Sequence, residues 1–255
     1  MPATVTAAVL IIGNEILSGR TQDANLAYLA KGLNEVGVRL GEARVIADVE
    51  DEIVAAVNAL RARHDYVFTT GGIGPTHDDI TAECVAKAFA RPLIRHAEAL
   101  RRLDAHYERT GIELNEARLR MANTPEGADL IDNPVSSAPG FRVENVYVMA
   151  GVPRICQAMF DGIKHTLVGG APVLTRTVQC GLPEGKLAAG LKAIQDRFGE
   201  VEIGSYPSYR AGGFGVAVVL RTTDAAVLAA ATDAVAGLVR ELGDTPEVLK
   251  ESEGG

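Results

Sequence analysis

Cysteine is scarce in this sequence, and the cysteines present stand far apart. The three are Cys84, Cys156 and Cys180, and no two of them form a Cys-x-x-Cys pair. Small disulfide-stapled folds and cysteine-rich zinc sites both depend on clustered cysteines. The spacing therefore argues against a disulfide framework and against a structural zinc site.

Positive charge is also in short supply. The chain has 25 Lys and Arg residues against 33 Asp and Glu residues, for a formal net charge of −8. Binding to a nucleic-acid backbone needs clustered Lys and Arg, so we expect no nucleic-acid partner. A small anionic ligand remains possible, because a few backbone N–H groups and one metal ion can hold a phosphate on an acidic protein.

Long hydrophobic runs are missing as well. The longest, Ala7–Ile12, has the length of a strand and is too short to cross a bilayer. Residues Met1–Ala8 carry no basic stretch ahead of an apolar run, as a signal peptide would. We therefore expect a cytoplasmic protein with no membrane partner.

Strand and helix patterns alternate along the first part of the chain. Short apolar runs predict strands, and apolar residues three or four positions apart predict helices. The predicted strands are Val5–Ile12, Val38–Ala47 and Tyr66–Thr70, and the predicted helices are Gln22–Val36, Ile53–Leu60 and Ile80–Phe89. Elements in this order predict an α/β fold, with a parallel sheet and helices on both faces.

The pattern becomes less regular after residue 90. A long polar helical stretch over Ala97–Ala122 carries a possible break near Thr110-Gly111, and the strands Asp129–Ile131 and Val146–Met149 flank a loop at Asn133–Gly140. A helix over Gly151–Val168 closes this domain, which we assign to residues 1–170.

The character of the sequence changes at Gly169-Gly170-Ala171-Pro172. Residues 171–243 then show a β-α-β-β-α order, which predicts a small α+β module. Residues 244–255 are polar and predict a frayed tail.

The strongest functional signal is the loop Thr69–Asp79, with the sequence Thr-Thr-Gly-Gly-Ile-Gly-Pro-Thr-His-Asp-Asp. It follows a predicted strand and precedes a helix, the place where open α/β sheets bind ligands. Three glycines in four residues allow positive φ and close backbone approach, so consecutive N–H groups could cradle a phosphate. The alternative is a tight turn in which Thr76 is the helix N-cap and Asp79 completes a capping box.

Two further groups of residues also follow strands. The loop Gly13–Gly19 places Glu15 at the end of the first strand, and Asp48 ends the second. Carboxylates combined with phosphate oxygens are the ligands that Mg²⁺ prefers, so Glu15 could help to hold a divalent cation. Asp48 could hold a hydroxyl group or orient water. The segments Asn133–Phe141 and Gly151–Pro153 are additional candidates for the same edge.

Taken together, the motifs at Gly13–Gly19, Thr69–Thr81, Asn133–Phe141 and Gly151–Pro153 resemble the molybdopterin-binding (MoaB/MogA-like) domain family. The likeness covers roughly residues 3–168 and is closest to the CinA-like members, whose second module is similar to the Ser205–Pro207 region. The resemblance implies a three-layer α/β/α domain and a homo-oligomer. The CinA C-terminal amidase domain has no counterpart in these 255 residues, so we do not expect that activity.

The resemblance also implies a chemistry and a set of residues. MogA-like enzymes adenylylate molybdopterin with Mg²⁺, and CinA-like proteins hydrolyse ADP-ribose to AMP and ribose 5-phosphate with a divalent metal (Mg²⁺, Mn²⁺ or Co²⁺). By motif position, Asp79 and Asp48 are the expected catalytic residues, and Glu15 and Asp79 the expected metal ligands. The expected phosphate- or ligand-binding residues are Thr70, Gly71, Gly72, Gly74, Thr76, Asn14, Ser137 and Gly151.

One departure from the family pattern bears on activity. The family usually has Pro-Gly-Val-Pro followed closely by Glu-Met, whereas this chain reads Ala150-Gly151-Val152-Pro153-Arg154-Ile155-Cys156. The glutamate that follows the loop in the family is therefore missing here.

The sequence is compatible with three functions. The first is hydrolysis of a nucleotide diphosphate bond, with ADP-ribose the expected substrate. The second is molybdopterin binding or adenylylation. The third is nucleotide binding without catalysis.

Overall fold

The computed structural model describes residues 4–210 and 213–250, which form two compact units divided after Gly170. The elements of the first unit are β1 (Thr6–Ile12), α1 (Asn14–Leu17), α2 (Asn25–Glu35), β2 (Arg39–Ile46), α3 (Glu50–Arg61), β3 (Tyr66–Thr70), α4 (Thr81–Ala88), β4 (Leu93–Arg95), α5 (Ala97–Thr110), α6 (Glu116–Leu119), β5 (Asn123–Pro125), β6 (Asp129–Ile131), β7 (Gly140–Val143), β8 (Val146–Met149) and α7 (Pro153–Ile163). Short 3₁₀ turns occupy Arg120–Ala122 and Lys164–Thr166.

The first unit is built on a six-stranded sheet with the order β2-β1-β3-β8-β7-β6. Strands β2, β1, β3 and β8 are parallel, and β7 and β6 add antiparallel pairings at one side. A separate two-stranded ladder joins β4 to β5. The expected α/β fold with a mostly parallel sheet is confirmed.

Apolar side chains fill both faces of this sheet, because successive residues of a strand point to opposite sides. In β1, Leu10 packs with Ile53 of α3 and Val85 of α4 on one face. On the other face, Val9 packs with Leu33 of α2 and the core that includes α7. The sheet is therefore covered by helices on both sides, which is the expected three-layer arrangement.

The long helical stretch predicted over Ala97–Ala122 is interrupted where the sequence suggested. Helix α5 ends at Gly111, which has a left-handed φ of 67° that favours glycine. The chain resumes as α6, capped by the Asn115 side chain, which accepts a hydrogen bond from the backbone N–H of Arg118. The short strands β4 and β5 were missed by the sequence analysis, since three-residue strands carry too little periodicity to detect.

The second unit contains β9 (Leu174–Cys180), α8 (Glu184–Arg197), β10 (Glu202–Arg210), β11 (Gly213–Thr222), α9 (Ala225–Glu241) and β12 (Glu247–Lys250). The strands form one antiparallel sheet in the order β10-β11-β9-β12. The expected small α+β module is present. The expectation of a frayed tail from residue 244 was wrong for Glu247–Lys250, which pairs with β9 through backbone hydrogen bonds that do not depend on apolar side chains.

Within the described residues, no helix combines the length and the apolar character needed to cross a membrane.

Candidate functional site

Loops that follow parallel strands gather at one edge of the six-stranded sheet. The turn after β3 is fixed to the neighbouring strand β8, because the N–H of Gly71 donates to the carbonyl of Met149 at 3.1 Å. It is also fixed to the start of α4. Thr81 donates its hydroxyl to Gly71 O at 3.0 Å and its N–H to Gly72 O at 3.0 Å. The Gly-rich loop therefore leaves β3 in a defined direction.

The first two glycines of the loop are required by its geometry. Gly71 and Gly72 have φ values of 106° and 68°, a region that side-chain-bearing residues rarely adopt. A Cβ atom on Gly71 would lie 2.1 Å from Ile12 O, and one on Gly72 would lie 2.1 Å from Thr81 Oγ1. Both positions therefore exclude a side chain by conformation and by lack of space.

Three consecutive amides in this loop are available to a ligand. The N–H groups of Gly72, Ile73 and Gly74 donate to no acceptor among the described residues, and Pro75 then has no N–H. Consecutive unpaired N–H groups in a turn form a concave site for anions such as phosphate. Because α4 begins only at Thr81, this site belongs to the loop and not to the first turn of the helix.

Beyond the glycines, Thr76 and Asp79 hold the loop in shape. Oδ2 of Asp79 accepts from the Thr76 N–H at 2.8 Å and lies 2.6 Å from Thr76 Oγ1. Oδ1 of Asp78 lies 2.5 Å from the same hydroxyl, which lowers the pKa of the Asp78 carboxyl. The capping-box alternative was wrong, because α4 begins five residues after Thr76 and its N-cap is Ile80.

Arg120, which the sequence analysis missed, holds this loop through hydrogen bonds to its backbone carbonyls. Arg120 donates to Thr76 O at 3.2 Å and to Asp79 O at 3.3 Å, and it lies 3.6 Å from the carboxylate of Glu83. It comes from a 3₁₀ turn more than forty residues away in sequence. No local motif marks it, so only the folded chain reveals the contact.

The β1–α1 loop is attached to the end of β2. Oδ2 of Asp48 accepts from the N–H of Asn14 at 2.8 Å, which satisfies an N–H at the start of α1 that has no helical partner. Glu15 lies on the same short helix, and its carboxylate folds back toward Gly13. Asp48 thus fixes the segment that carries Glu15.

These loops enclose a pocket of about 410 Å³. Predicted site residues from four separate segments line it, which places Glu15, Asp48, the Gly-rich loop and Gly151 around one space. The lining residues include Ile12, Glu15, Asp48, Gly71, Gly72, Ile73, Gly74, Thr76, Asp78, Asp79, Ser136 and Gly151. Four carboxylates are among the residues that line it, and no Lys or Arg is.

The profile of a family described as a probable molybdopterin binding domain matches residues 8–170, which is more than half of the chain. The chain belongs to this family. A second profile, described as the middle domain of FAD synthase, matches residues 172–243. The two matches correspond to the two units of the structure.

Two relatives and one solved structure are similar to large parts of this chain. A protein of Pyrobaculum calidifontis is 36% identical over 211 residues, which are 79% of this chain and 80% of the relative. A protein of Thermococcus kodakarensis is 37% identical over 222 residues, 82% of this chain and 86% of the relative. The crystal structure of CinA from Thermoplasma acidophilum, a protein titled as of unknown function, is similar with a TM-score of 0.59 and 33% identity, covering 64% of this chain and 98% of that one.

Within the molybdopterin-binding domain, the predicted metal ligands do not form a complete protein site. No group of three or more His, Cys, Asp or Glu side chains in the described part of the chain is arranged to hold a metal ion. Glu15 and Asp79 line the same pocket. Mg²⁺ in proteins commonly takes one or two carboxylates and completes its shell with water and substrate phosphates. The residues present fit a divalent cation only when ligand oxygens share it.

Three predicted ligand-binding residues lie outside the main pocket. Ser137 has a φ of 63° and lies 3.1 Å from His106 Nδ1, beside α5, while its neighbour Ser136 lines the pocket instead. Asn14 faces Asp48 through its backbone N–H. Thr70 is buried in a smaller recess next to the pocket. His77, the only histidine in the loop, has a side chain that is 97% exposed.

Proposed function

We propose that the molybdopterin-binding domain of this chain binds a phosphorylated pterin or nucleotide, with a phosphate group on the amides of Gly72, Ile73 and Gly74. The observation that carries the proposal is the set of three consecutive unpaired N–H groups on residues that line the 410 Å³ pocket. A pocket of this volume is within the range of small-molecule sites. The family description favours a molybdopterin-type ligand.

Two measurements test this proposal. Protein purified from cells is denatured and oxidised, and the supernatant is examined for pterin fluorescence. Separately, the full chain is titrated by calorimetry in the presence of Mg²⁺ with neopterin monophosphate and with AMP, which represent a phosphorylated pterin and a phosphorylated nucleotide. Saturable binding of either probe supports the proposal, and binding of neither, with no pterin released, contradicts it.

A matched pair of glycine variants locates the binding. A Cβ on Gly74 would lie 2.6 Å from Asp79 Oδ2, so Gly74→Ala displaces the Asp79 carboxylate and disturbs the loop. A Cβ on Gly162, in α7, would meet nothing within 4 Å. Affinity should fall in Gly74→Ala and stay unchanged in Gly162→Ala. Equal affinities in the two variants would place the ligand elsewhere.

A second candidate function follows from the charge of the pocket. Four carboxylates line the pocket in which we place the anionic phosphate, namely those of Glu15, Asp48, Asp78 and Asp79. Their repulsion of the phosphate is unfavourable unless a cation binds between the carboxylates and the phosphate. Together with the resemblance to CinA-like proteins, this favours hydrolysis of ADP-ribose. Water adds to one phosphorus, the bridging P–O bond breaks, and the products are AMP and ribose 5-phosphate.

In this reaction the chain would contribute positioned carboxylates. Asp79, held by the N–H of Thr76, and Glu15 would hold Mg²⁺, Mn²⁺ or Co²⁺ together with phosphate oxygens. The cation would supply charge neutralisation at the phosphate. Asp48 faces the pocket from the end of β2 and would orient the attacking water.

The assay for this activity is chromatographic detection of AMP after incubation with ADP-ribose and each metal in turn. Metal-dependent AMP release that is lost in Asp79→Asn supports hydrolysis. Tight binding without release under any of the three metals supports the third function, nucleotide binding without catalysis. A homo-oligomer remains part of the proposal, and light scattering of the full chain measures it.

A further inference from the structure

A small recess of about 40 Å³ adjoins the Gly-rich pocket. The two share the lining residues Ile12, Glu15 and Gly151, so the recess lies directly beside the pocket. One ordered water needs on the order of 10–15 Å³ of such space. The recess therefore has room for an amine or hydroxyl group and is too small for an aromatic ring.

Asn25, at the start of α2, lines this recess and carries an acceptor whose orientation is fixed. Its side chain is 4% exposed, and its Nδ2 donates to the carbonyl of Gly151 at 2.8 Å. A carbonyl can only accept, so this bond assigns which end of the amide is nitrogen. Oδ1 of Asn25 is buried and has no hydrogen-bond partner among the described residues.

Thr70, the last residue of β3, contributes a second buried polar atom to the same recess. It is 1% exposed, and its Oγ1 also has no partner in the described part of the chain. Burying a polar group without a hydrogen bond is unfavourable, and native proteins leave few such groups unpaired. Two of them lining one recess beside a candidate ligand pocket indicate a group that is bound there.

We propose that Asn25 Oδ1 and Thr70 Oγ1 form a subsite for a hydrogen-bond-donating group of the ligand, either an exocyclic amine or a hydroxyl. This inference rests on the proposed function, because the phosphate of the same ligand lies on the Gly72–Gly74 amides. Asn25 Oδ1 can only accept, whereas the Thr70 hydroxyl can accept or donate, so a ligand carbonyl would face one acceptor oxygen and bind more weakly than a donor group. The subsite therefore distinguishes a ligand that carries an amine or hydroxyl at this position from one that carries a carbonyl there.

Asp23 also lines the recess, and its carboxylate already accepts two backbone hydrogen bonds. Its carboxylate accepts from the N–H of Asn25 at 3.1 Å and from the N–H of Leu26 at 2.9 Å, which holds the start of α2 in place. Asn25 Oδ1 and Thr70 Oγ1 are the buried side-chain atoms of the recess that have no hydrogen-bond partner among the described residues.

The sharpest test replaces the Thr70 hydroxyl by a methyl group. Thr70→Val keeps the shape of the side chain and removes an atom that has no protein partner, so thermal stability should not fall. The affinity for AMP or neopterin monophosphate should fall about five- to tenfold, as expected for the loss of one buried hydrogen bond. Thr69→Val is the matched control, because Thr69 Oγ1 is equally buried and unpaired but does not line the recess.

Ligand analogues then identify the donor group. If the ligand amine occupies the recess, IMP, which carries a carbonyl in place of the AMP amine, should bind wild type more weakly than AMP does, because Asn25 Oδ1 cannot donate to that carbonyl. If a ribose hydroxyl occupies it, 2′-deoxy-AMP should behave in this way instead. For a pterin, 2-deamino analogues replace IMP in the same comparison.

The outcomes separate this inference from the proposed function. Wild-type binding that is unchanged in Thr70→Val means that the recess holds only water, which overturns the subsite and leaves the phosphate site standing. A fall in stability that matches the fall in affinity means that Thr70 acts structurally, which also overturns it. Failure of wild type to bind either phosphorylated probe overturns the proposed function and the subsite together.

Discussion

The carboxylate of Asp48 accepts a hydrogen bond from the backbone N–H of Asn14, with 2.8 Å between Asp48 Oδ2 and Asn14 N. This bond joins the end of β2 to the loop that carries Glu15. Asp48→Ala should lower the free energy of unfolding by about 1–2 kcal/mol, because a hydrogen bond to a charged, half-buried group is lost. Urea unfolding measures the change.

Asp48→Asn separates the structural role of this residue from a chemical one. Asparagine retains an oxygen that can accept from Asn14, so stability should stay within about 0.5 kcal/mol of wild type. If the charge of Asp48 orients water, AMP release from ADP-ribose falls in Asp48→Asn although the fold is intact. Full activity in Asp48→Asn would restrict Asp48 to its structural role.

The Gly-rich loop needs glycine both because of its positive φ angles and because a side chain would clash with neighbouring atoms. A comparison of two glycines separates these two requirements. Gly72 and Gly111 have nearly equal φ values of 68° and 67°. A Cβ on Gly72 would lie 2.1 Å from Thr81 Oγ1, whereas a Cβ on Gly111 would meet nothing within 4 Å. Gly111→Ala should cost about 1–2 kcal/mol from conformation alone. Gly72→Ala should cost at least about 1 kcal/mol more, because it displaces the Thr81 hydroxyl from Gly71 O. Equal losses in thermal or urea unfolding would contradict the geometry.

Arg120 should control the mobility of the loop that it supports. Arg120→Ala removes the bonds to Thr76 O and Asp79 O, so amide hydrogen exchange over residues 76–79 should become faster. Ligand affinity should fall by about fivefold, the equivalent of one net hydrogen bond. Arg101→Ala is the control, since this exposed side chain pairs with Glu98 on α5. Unchanged exchange at 76–79 would exclude the supporting role.

The thiols should be inert in the native protein. Burial raises the pKa of Cys84 to about 11 and the pKa of Cys156 to about 12, and Cys180 is also buried. A raised pKa means that almost no thiolate, the reactive form, is present at pH 8 in the folded state. Native protein should therefore react slowly with Ellman's reagent, and all three thiols should react quickly in urea. A fast phase in the native protein would contradict this environment.

The sequence was sufficient for the elements whose periodicity is strong. Strand β1 is apolar from Ala7 to Ile12 because both of its faces are covered there, and its start was predicted within one residue of the observed one. Strands β4 and β5 have three residues each, which is too short to show the alternation of apolar and polar residues that marks a strand. Strand β12 is held by backbone pairing with β9, which leaves no hydrophobic pattern in the sequence.

The sequence predicts the site only for residues in loops that directly follow the parallel strands. Parallel topology brings Glu15, Asp48 and Asp79 around one pocket, as their positions after β1, β2 and β3 predict. The choice between Ser136 and Ser137 is different, because it is made by Asn133, whose Oδ1 accepts from the N–H of Ser136 and whose Nδ2 donates to Ser136 Oγ. Arg120 and Asn25 reach the site through contacts across the fold, which sequence spacing does not encode.

The most direct test of the phosphate site follows the backbone amide signals of Gly72, Ile73 and Gly74 by NMR during titration of the ¹⁵N-labelled chain with AMP or neopterin monophosphate. We expect saturable shifts that are largest at these three amides, because they donate to the phosphate, and no shift at Gly111. Saturation with the three signals unmoved, or no saturation with either probe, would contradict the phosphate site.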